Sequence, residues 1–211
     1  MIPAHLPTPE QIEAWPTFTP ASPLRVLLSA CLAGEPCGVD GTAYGEYPLA
    51  KRLIELPNVK VVRFCPENDA FGTPRATPDL HGGNGFDVLD GTARVLSDKN
   101  DEWTEGMVRS AKKMTELAVR EAVHVALLMD ISAACGSTVI YDGARTLKKY
   151  QRGPGVCAAM LMRAGFAIVS WRDEKTLARI FEKLGGAGDA PFSDRQDHHE
   201  RAWYREYFQV T

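Results

Sequence analysis

The chain has 211 residues, a formal net charge of −3 at pH 7, 45% hydrophobic residues and 24% charged residues. This length and composition are typical of one globular domain with a sizeable core, and the small negative charge gives no reason to expect non-specific binding to nucleic acid or to an anionic membrane. No apolar run approaches the roughly 20 residues that a membrane span needs, and the first residues lack the basic and apolar pattern of a signal peptide. We therefore expect a cytoplasmic protein.

The first part of the chain predicts an extension followed by a strand–helix–strand unit. Residues 1–23 are rich in proline and polar residues, which indicates an extension over the domain surface. An apolar run predicts a strand over residues 24–29, and Pro48 predicts the start of a helix. A second strand is predicted over residues 58–64. We expect the two strands to be parallel, with a right-handed crossover between them.

The middle of the chain predicts a long loop, a long helix and a third strand. Residues 66–91 contain many glycines and prolines, and a loop of this length is more often functional than idle. Apolar residues at helical spacing predict a helix over residues 104–121. A third apolar run starts at Val123 and leads towards Cys135.

The last part of the chain continues the alternation of strands and helices. Short apolar runs predict strands over residues 139–141 and 166–170, and helical spacing predicts helices over residues 156–164 and 174–184.

A glycine-rich linker at residues 185–188 then leads to a predicted tail helix over residues 195–208, which carries four aromatic residues. His198 and His199 have no neighbouring cysteines in this tail and are interpreted as surface residues.

This alternation predicts an α/β fold with a mainly parallel sheet flanked by helices. We expect a single domain over residues 24–184, an N-terminal extension over residues 1–23, and a linker and tail over residues 185–211.

Three of the five cysteines follow predicted strands: Cys31, Cys65 and Cys135. Because parallel strands lie about 4.8 Å apart and present their carboxyl ends at one edge of the sheet, we expect these thiols to converge. Thiolates in a reducing compartment bind soft metals or iron–sulfur clusters. Paired Cys-x-x-Cys motifs of the kind common in structural zinc sites are absent, so three isolated cysteines better suit a [4Fe–4S] cluster with one open iron. Cys37 is interpreted as a spare thiol or a persulfide relay, and Cys157 as a core residue.

Short segments with a characteristic order occur along residues 24–170. They are Ser29-Ala30-Cys31-Leu32-Ala33-Gly34-Glu35-Pro36-Cys37 with Asp40-Gly41, Cys65-Pro66-Glu67, Thr73-Pro74-Arg75, the glycine-rich stretch 80–91, Cys135-Gly136, Ile140-Tyr141-Asp142-Gly143 and Gly153-Pro154-Gly155-Val156. Together these segments resemble the DUF523 family, whose members include the thiouracil desulfidases. A series of matched segments is far more specific than one motif.

The resemblance implies a Rossmann-like α/β fold and a [4Fe–4S] cluster held by Cys31, Cys65 and Cys135. It also implies a small-molecule substrate, thiouracil or its nucleotide, from which sulfur is removed without net redox change. In the family picture the open iron takes the substrate sulfur and a carboxylate activates the water that replaces it.

Three residues are catalytic candidates. Glu67 lies two residues after a predicted ligand and is the best candidate for the general base, although a carboxylate there could also bond to loop amides. Asp40 is a second candidate, although aspartate before glycine is a common turn residue. Ser132 matches a family serine and could orient the substrate, bond to a cluster sulfide or only cap a loop.

A phosphate group on the substrate could bind to Arg75 and Arg152, with the amides of Gly153 and Gly155 adding an anion site at a helix N-terminus. The alternative is two surface arginines and two ordinary glycines at the start of a helix.

The chain departs from the family pattern at its third cysteine, where Ala133 and Ala134 stand in place of proline and serine. This departure bears on substrate identity more than on cluster binding, because the thiol is kept. Two other functions stay open: a three-cysteine metal or persulfide binding module without desulfidase activity, and a cluster-dependent dehydratase. The sequence does not predict an oligomeric state.

Overall fold

A parallel sheet of four strands lies at the centre of the computed structural model, which describes residues 3–43, 45, 47–186 and 194–210. The strands are β1 (Leu24–Ser29), β2 (Val59–Phe64), β5 (Val125–Leu128) and β8 (Ala167–Ser170), in the order β2-β1-β5-β8. All three pairings are parallel. The predicted α/β fold with a mainly parallel sheet is therefore confirmed.

The burial of each strand explains its sequence. All four residues of β5 are buried, and five of the six residues of β1 are buried. A continuous apolar run is typical of a parallel strand that is covered on both faces. The edge strand β2 differs, because Lys60 and Arg63 are exposed on it. Charged residues on an edge strand discourage pairing with another chain.

Eight α-helices surround the sheets in the part of the chain that the structure describes. They are α1 (Pro9–Glu13), α2 (Pro48–Ile54), α3 (Pro66–Phe71), α4 (Gly85–Leu89), α5 (Thr104–Arg120), α6 (Val156–Arg163), α7 (Glu174–Lys183) and α8 (Ala202–Phe208). None of these helices is both long enough and apolar enough to cross a membrane.

The central sheet is covered on both faces. Leu27 of β1 belongs to a core with residues of α5 and α6, whereas Val26 and Leu28 belong to a second core with residues of α1, α2 and α7. Side chains alternate between the two faces of a strand. The sheet therefore separates two hydrophobic layers, and its carboxyl edge stays free for other groups.

The predicted long loop over residues 66–91 is wrong in its local structure. This stretch contains α3, the strand β3 (Pro78–His81) and α4, and β3 pairs antiparallel with β4 (Arg94–Ser97). Hydrogen bonds between nearby residues stabilise the ends of these short elements. Asn84 and Asp87, for example, form a capping box at the start of α4. The glycines and prolines therefore mark the ends of several short elements. A second hairpin joins β6 (Val139–Tyr141) to β7 (Tyr150–Arg152).

The N-terminal extension is part of the core and does not only cover the surface. Leu6, Ile12 and Phe18 are buried against the second hydrophobic layer. The carbonyl of His5 accepts a hydrogen bond from the Ile168 amide on the outer strand β8. The extension therefore covers one edge of the sheet.

The tail also differs from its prediction. An α-helix is present only from Ala202, and a 3₁₀ turn over His198–Glu200 precedes it. Asp197 is the N-cap of this turn, and its carboxylate accepts hydrogen bonds from the amide and hydroxyl of Thr176 in α7. The surface interpretation of His198 is wrong, because this residue is 1% exposed, whereas His199 is half-buried. The predicted linker at 185–188 lies partly outside the described residues.

We predict that Leu27→Ala lowers the free energy of unfolding by about 2–5 kcal/mol, because it removes a fully buried side chain from the central strand and leaves a cavity. Denaturant unfolding of the metal-free protein measures this loss. Val119→Ala is the control: this α5 side chain is 64% exposed, so its removal should change the free energy of unfolding by no more than about 0.5 kcal/mol. Equal effects of the two substitutions would contradict the two-layer core.

Candidate active site

Cys31, Cys65 and Cys135 line one cavity of about 170 Å³ at the carboxyl edge of the sheet. Cys31 lies in a 3₁₀ turn directly after β1, and Cys65 directly follows β2. Cys135 lies in the loop after β5. Because β1 is paired with both β2 and β5, the three adjacent strands bring the three cysteines to the lining of one cavity.

The start of α3 fixes two functional residues. Cys65 is the N-cap of this helix, and its Sγ accepts a hydrogen bond from the Asn68 amide at 3.4 Å. Pro66 occupies the first helical position, where its missing N–H costs no hydrogen bond. Glu67 follows in the first turn and also lines the cavity. The Cys-Pro-Glu motif thus places a thiol and a carboxylate side by side.

The loop that carries Cys135 is held by two serines. The Ser132 hydroxyl accepts hydrogen bonds from the amides of Ala134 and Cys135 at 3.2 and 3.1 Å. The Ser29 hydroxyl, at the end of β1, bonds to the Cys135 side chain and accepts a hydrogen bond from the Met129 amide at 3.0 Å. Sequence analysis missed Ser29, although its position two residues before Cys31 placed it at the same strand end.

A partly buried ion pair connects the start of α3 to the segment at Cys37 and to the loop of Ser132. The guanidinium of Arg75 bonds to one carboxylate oxygen of Glu67 at 2.7 Å, and the Ser132 hydroxyl donates to the other at 3.1 Å. The Arg75 side chain is only 3% exposed. Its second terminal nitrogen donates to the Cys37 carbonyl at 2.9 Å. Arg75 therefore holds Glu67 and the chain at Cys37, and these contacts leave it poorly suited to bind a substrate phosphate.

Cys37 is a fourth thiol in the same cavity. It is 6% exposed and forms side-chain hydrogen bonds with Cys31 and Cys65. The sequence left Cys37 open as a spare thiol or a persulfide relay, and its place in the cavity could not be read from the segment between β1 and α2. The hydrogen bond with Cys31, together with burial, raises the pKa of Cys37 to about 11.

The thiols of Cys65 and Cys135 also have raised pKa values, which favours their neutral form. The hydrogen bond with Cys37 and then burial raise the pKa of Cys65. Burial raises the pKa of Cys135, and the hydrogen bond from Ser29 opposes this shift. Metal ligation requires thiolates, so binding of a metal or a cluster at these cysteines must release protons.

Arg145 is a further cavity-lining residue that sequence analysis missed. Its backbone amide and its Nε both donate to the Asp79 carboxylate at 2.9 Å. Burial raises the pKa of Asp79, and the bonds and charge of Arg145 oppose the shift. The Arg145 side chain is 35% exposed, so it brings positive charge to the cavity while staying in contact with solvent.

Asp40 and Arg152 are not brought to the cavity. Asp40 is exposed and accepts hydrogen bonds from the amide and hydroxyl of Thr42, which also lower its pKa. This contact is the turn interaction that the sequence left open as an alternative. Arg152 is exposed and lies over the Phe208 ring, 5.8 Å from its centre.

Gly153 and Gly155 support the loop behind the site. Their amides donate to the carbonyls of Thr138 and Gly136, so neither amide is left for an anion. A Cβ atom on Gly155 would lie 2.5 Å from the Ala133 carbonyl oxygen. Glycine at this position therefore allows α6 to approach the loop that carries Cys135.

The donor set of the cavity suits an iron–sulfur cluster better than a single ion. Within the described ranges of the chain, no group of three or more His, Cys, Asp or Glu side chains has the arrangement to bind one metal ion. In a [4Fe–4S] cluster each cysteine binds a different iron, so its ligands need not meet at one point. Thiols from separate strand ends around one cavity meet that requirement.

We predict that Ser132→Ala lowers the free energy of unfolding of the metal-free protein by about 1–3 kcal/mol, because two amides and one oxygen of Glu67 lose their partner. Denaturant titration measures the change. Ser110→Ala is the matched control, since the buried Ser110 hydroxyl has no hydrogen-bond partner among the residues that the structure describes. Its removal should cause no loss of stability. A Ser132 variant as stable as the Ser110 variant would contradict the proposed loop contacts.

Comparison with known proteins agrees with this geometry. The family model of 2-thiouracil desulfurase matches residues 26–173. YbbK, an uncharacterized protein of Bacillus subtilis (strain 168), is 35% identical over 146 residues, which cover 69% of this chain and 94% of YbbK. The solved structure of TudS (DUF523Vcz), a [4Fe–4S]-dependent thiouracil desulfidase, is similar with a TM-score of 0.60 and 26% identity over 75% of this chain and 97% of that protein. The chain therefore belongs to the 2-thiouracil desulfurase family, DUF523.

Proposed function

We propose that this protein is an iron–sulfur-dependent desulfidase that hydrolyses the carbon–sulfur bond of a thiolated pyrimidine, thiouracil or its nucleotide. One observation carries the proposal: the three cysteines that match the family ligands line the same cavity as Glu67 and Ser132. Similarity to a [4Fe–4S]-dependent thiouracil desulfidase supports it. We also propose a cytoplasmic location, where the thiols stay reduced.

Cys31, Cys65 and Cys135 are the proposed ligands of a [4Fe–4S] cluster. When bound, a cluster with three cysteine ligands supplies a Lewis acid that polarises a soft thiocarbonyl sulfur. The overall reaction exchanges sulfur for oxygen: water and the thiocarbonyl compound give the carbonyl compound and hydrogen sulfide. Neither the substrate carbon nor the protein changes its oxidation state.

Glu67 is the proposed general base. Each oxygen of a carboxylate can accept about two hydrogen bonds, and the contacts with Arg75 and Ser132 use one site on each oxygen. The carboxylate therefore retains room for a water molecule. Glu67 takes one proton from this water as its oxygen attacks the thiocarbonyl carbon. The added hydroxyl loses the second proton as the carbonyl forms and the carbon–sulfur bond breaks, and both protons leave with the sulfur as hydrogen sulfide.

Arg75 and Ser132 position this base. Arg75 fixes the oxygen on the side of Cys37, whereas Ser132 fixes the oxygen on the side of Cys135. A base held from two sides keeps its orientation while substrate enters and product leaves. For a nucleotide substrate, Arg145 is a better candidate than Arg152 for contact with the anionic group, because Arg145 lines the cavity and Arg152 does not.

The position of Cys37 in the cavity favours a second candidate function, that of a cluster-binding module. A [4Fe–4S] cluster normally takes four cysteines, and Cys37 supplies a fourth thiol in the cavity. With four protein ligands no iron would be open, and the protein would be a cluster-binding module without desulfidase activity. Cys37→Ser separates the two functions: the desulfidase keeps its cluster and its turnover, whereas the closed module loses iron.

We predict that Cys31→Ser, Cys65→Ser and Cys135→Ser each abolish retention of iron and sulfide after anaerobic purification. Cys157→Ser is the control, because Cys157 is fully buried in α6 and does not line the cavity. Iron and acid-labile sulfide counts, together with the broad visible absorption of a cluster, measure retention. Equal losses from all four substitutions would show that the cysteines do not divide into ligands and a core residue.

We also predict that Glu67→Gln retains the cluster and lowers the rate of sulfide release from thiouracil substrates by about 10²–10⁴-fold, the usual contribution of a general base. The glutamine oxygen can still accept the hydrogen bond from Arg75, and the side chain keeps the size of glutamate, so the cavity should keep its shape although the bond donated by Ser132 is lost. Asp69→Asn is the matched control on the same helix: Asp69 is exposed and pairs with Lys113. Full activity of the Glu67 variant would remove this residue from the mechanism.

A further inference from the structure

A buried acid–histidine pair joins the C-terminal part of the chain to residues 130–137, the loop that carries Ser132 and Cys135 and is named here the active-site loop. Asp130 follows β5, lines the cavity, and bonds through Oδ2 to Nδ1 of His198. The two side chains are 0% and 1% exposed. A buried ionisable group in such a pair needs its partner, because an unpaired buried charge is strongly destabilising.

The Asp130 carboxylate also spans the loop that carries Ser132 and Cys135. Its Oδ1 accepts a hydrogen bond from the Ser137 amide at 3.2 Å, so one side chain connects the two ends of residues 130–137. Burial raises the pKa of Asp130, but hydrogen bonds from His198 and from the amides of Ile131 and Ser137 outweigh it and lower the pKa. An ionised carboxylate only accepts hydrogen bonds, so His198 Nδ1 is the donor.

His198 comes from outside the part of the chain that matches the family model, which ends at residue 173. It belongs to the C-terminal segment, defined here as residues 194–210. The His198 amide donates to Asp173 at 3.0 Å, and the neighbouring Asp197 accepts two hydrogen bonds from Thr176. These contacts at Asp197 and at the backbone of His198 fix the segment to the start of α7.

The aromatic part of the same segment holds the imidazole in place. The Trp203 ring stacks on the His198 ring with centroids 5.7 Å apart, and the Tyr204 ring packs on it at 5.9 Å. The predicted aromatic tail therefore has a specific contact: Trp203 and Tyr204 pack on His198, which bonds to Asp130 in the loop after β5.

We propose that the C-terminal segment is a positioning element for the active-site loop, and that His198 is the positioning residue that holds Asp130 and, through it, the segment carrying Ser132 and Cys135. The catalytic consequence of this contact rests on the proposed function, whereas the structural contact does not. Loss of the imidazole removes the hydrogen bond that ties Oδ2 of Asp130, and with it the loop, to the C-terminal segment, so the loop opens more readily.

The test compares His198→Leu with His198→Asn. Leucine and asparagine have the same branched shape, but only asparagine can donate a hydrogen bond from the position of Nδ1. The full-length iron-free chain is treated with iodoacetamide, and peptide mass spectrometry follows the alkylation of each cysteine. In His198→Leu we expect the rate at Cys135 to rise by about tenfold or more, because the loop opens locally. His198→Asn should restore a rate close to that of the parent.

Two internal references separate local opening from general unfolding. Cys157 lies fully buried in α6, and Cys65 lies in the same cavity but on the β2 side. Their alkylation rates should stay within about twofold of the parent if opening is confined to the loop. His199→Asn is the matched control on the neighbouring imidazole, which does not bond to Asp130, and it should leave all rates unchanged.

Parallel acceleration at Cys135, Cys65 and Cys157, or an unchanged rate at Cys135, would overturn the proposal.

Should His198→Leu fail to fold, the double variant Asp130→Asn with His198→Leu removes the unpaired charge and keeps an oxygen for the Ser137 amide. This double variant should fold and still show faster alkylation at Cys135 alone.

A second readout uses the cluster-loaded protein. His198→Leu should lose iron to a chelator faster than the parent and His198→Asn, and its kcat should fall more than its KM rises, because the loop orients Ser132 and Glu67. If the parent protein releases no sulfide from thiouracils, the proposed function fails. The alkylation and chelation results would still decide the role of His198.

Discussion

The partly buried ion pair between Arg75 and Glu67 is the contact on which the site depends. Through it, the segment at Cys37, the start of α3 and the loop of Ser132 share one hydrogen-bonded network. An arginine side chain that is 3% exposed is costly to bury unless its charge is paired. The two terminal nitrogens of Arg75 bond to Glu67 and to the Cys37 carbonyl, whereas its Nε has no hydrogen-bond partner among the described residues. The charge of Glu67 and the position of Cys37 therefore stabilise the guanidinium, and the guanidinium in turn fixes both.

This network rests on the order of the strands. The central position of β1 between β2 and β5 places Ser29 and Cys31 between Cys65 and Cys135. Ligands of open α/β sheets lie at this carboxyl edge. The family match ends before α7, yet the C-terminal segment contacts the same edge through Asp130. The cavity is thus lined by residues within the part of the chain that matches the family model, and the C-terminal segment, which lies outside that match, contacts one of them.

The sequence predicted the central strands because each is a short apolar run, and it predicted the grouping of Cys31, Cys65 and Cys135 because each follows such a run. It could not predict the place of Cys37 or His198. Both positions depend on contacts between residues that are far apart in the sequence. His198 lies 68 residues from its partner Asp130, and no local sequence pattern predicts that contact. The stretch 66–91 was misjudged because glycine and proline end short elements as well as forming loops.

The cavity is assembled from chain positions that are far apart, since Cys31 and Cys135 follow β1 and β5, and strand β2, the β3–β4 hairpin and the four helices α2 to α5 lie between these strands in the sequence. An unfolded chain therefore offers isolated thiols and no preformed pocket for an inorganic centre. The folded arrangement, in which β1 pairs with β2 and β5, is the state that offers this pocket, so the binding energy of such a centre adds to the stability of the folded state. Removal of the centre would then lower the stability of the whole fold.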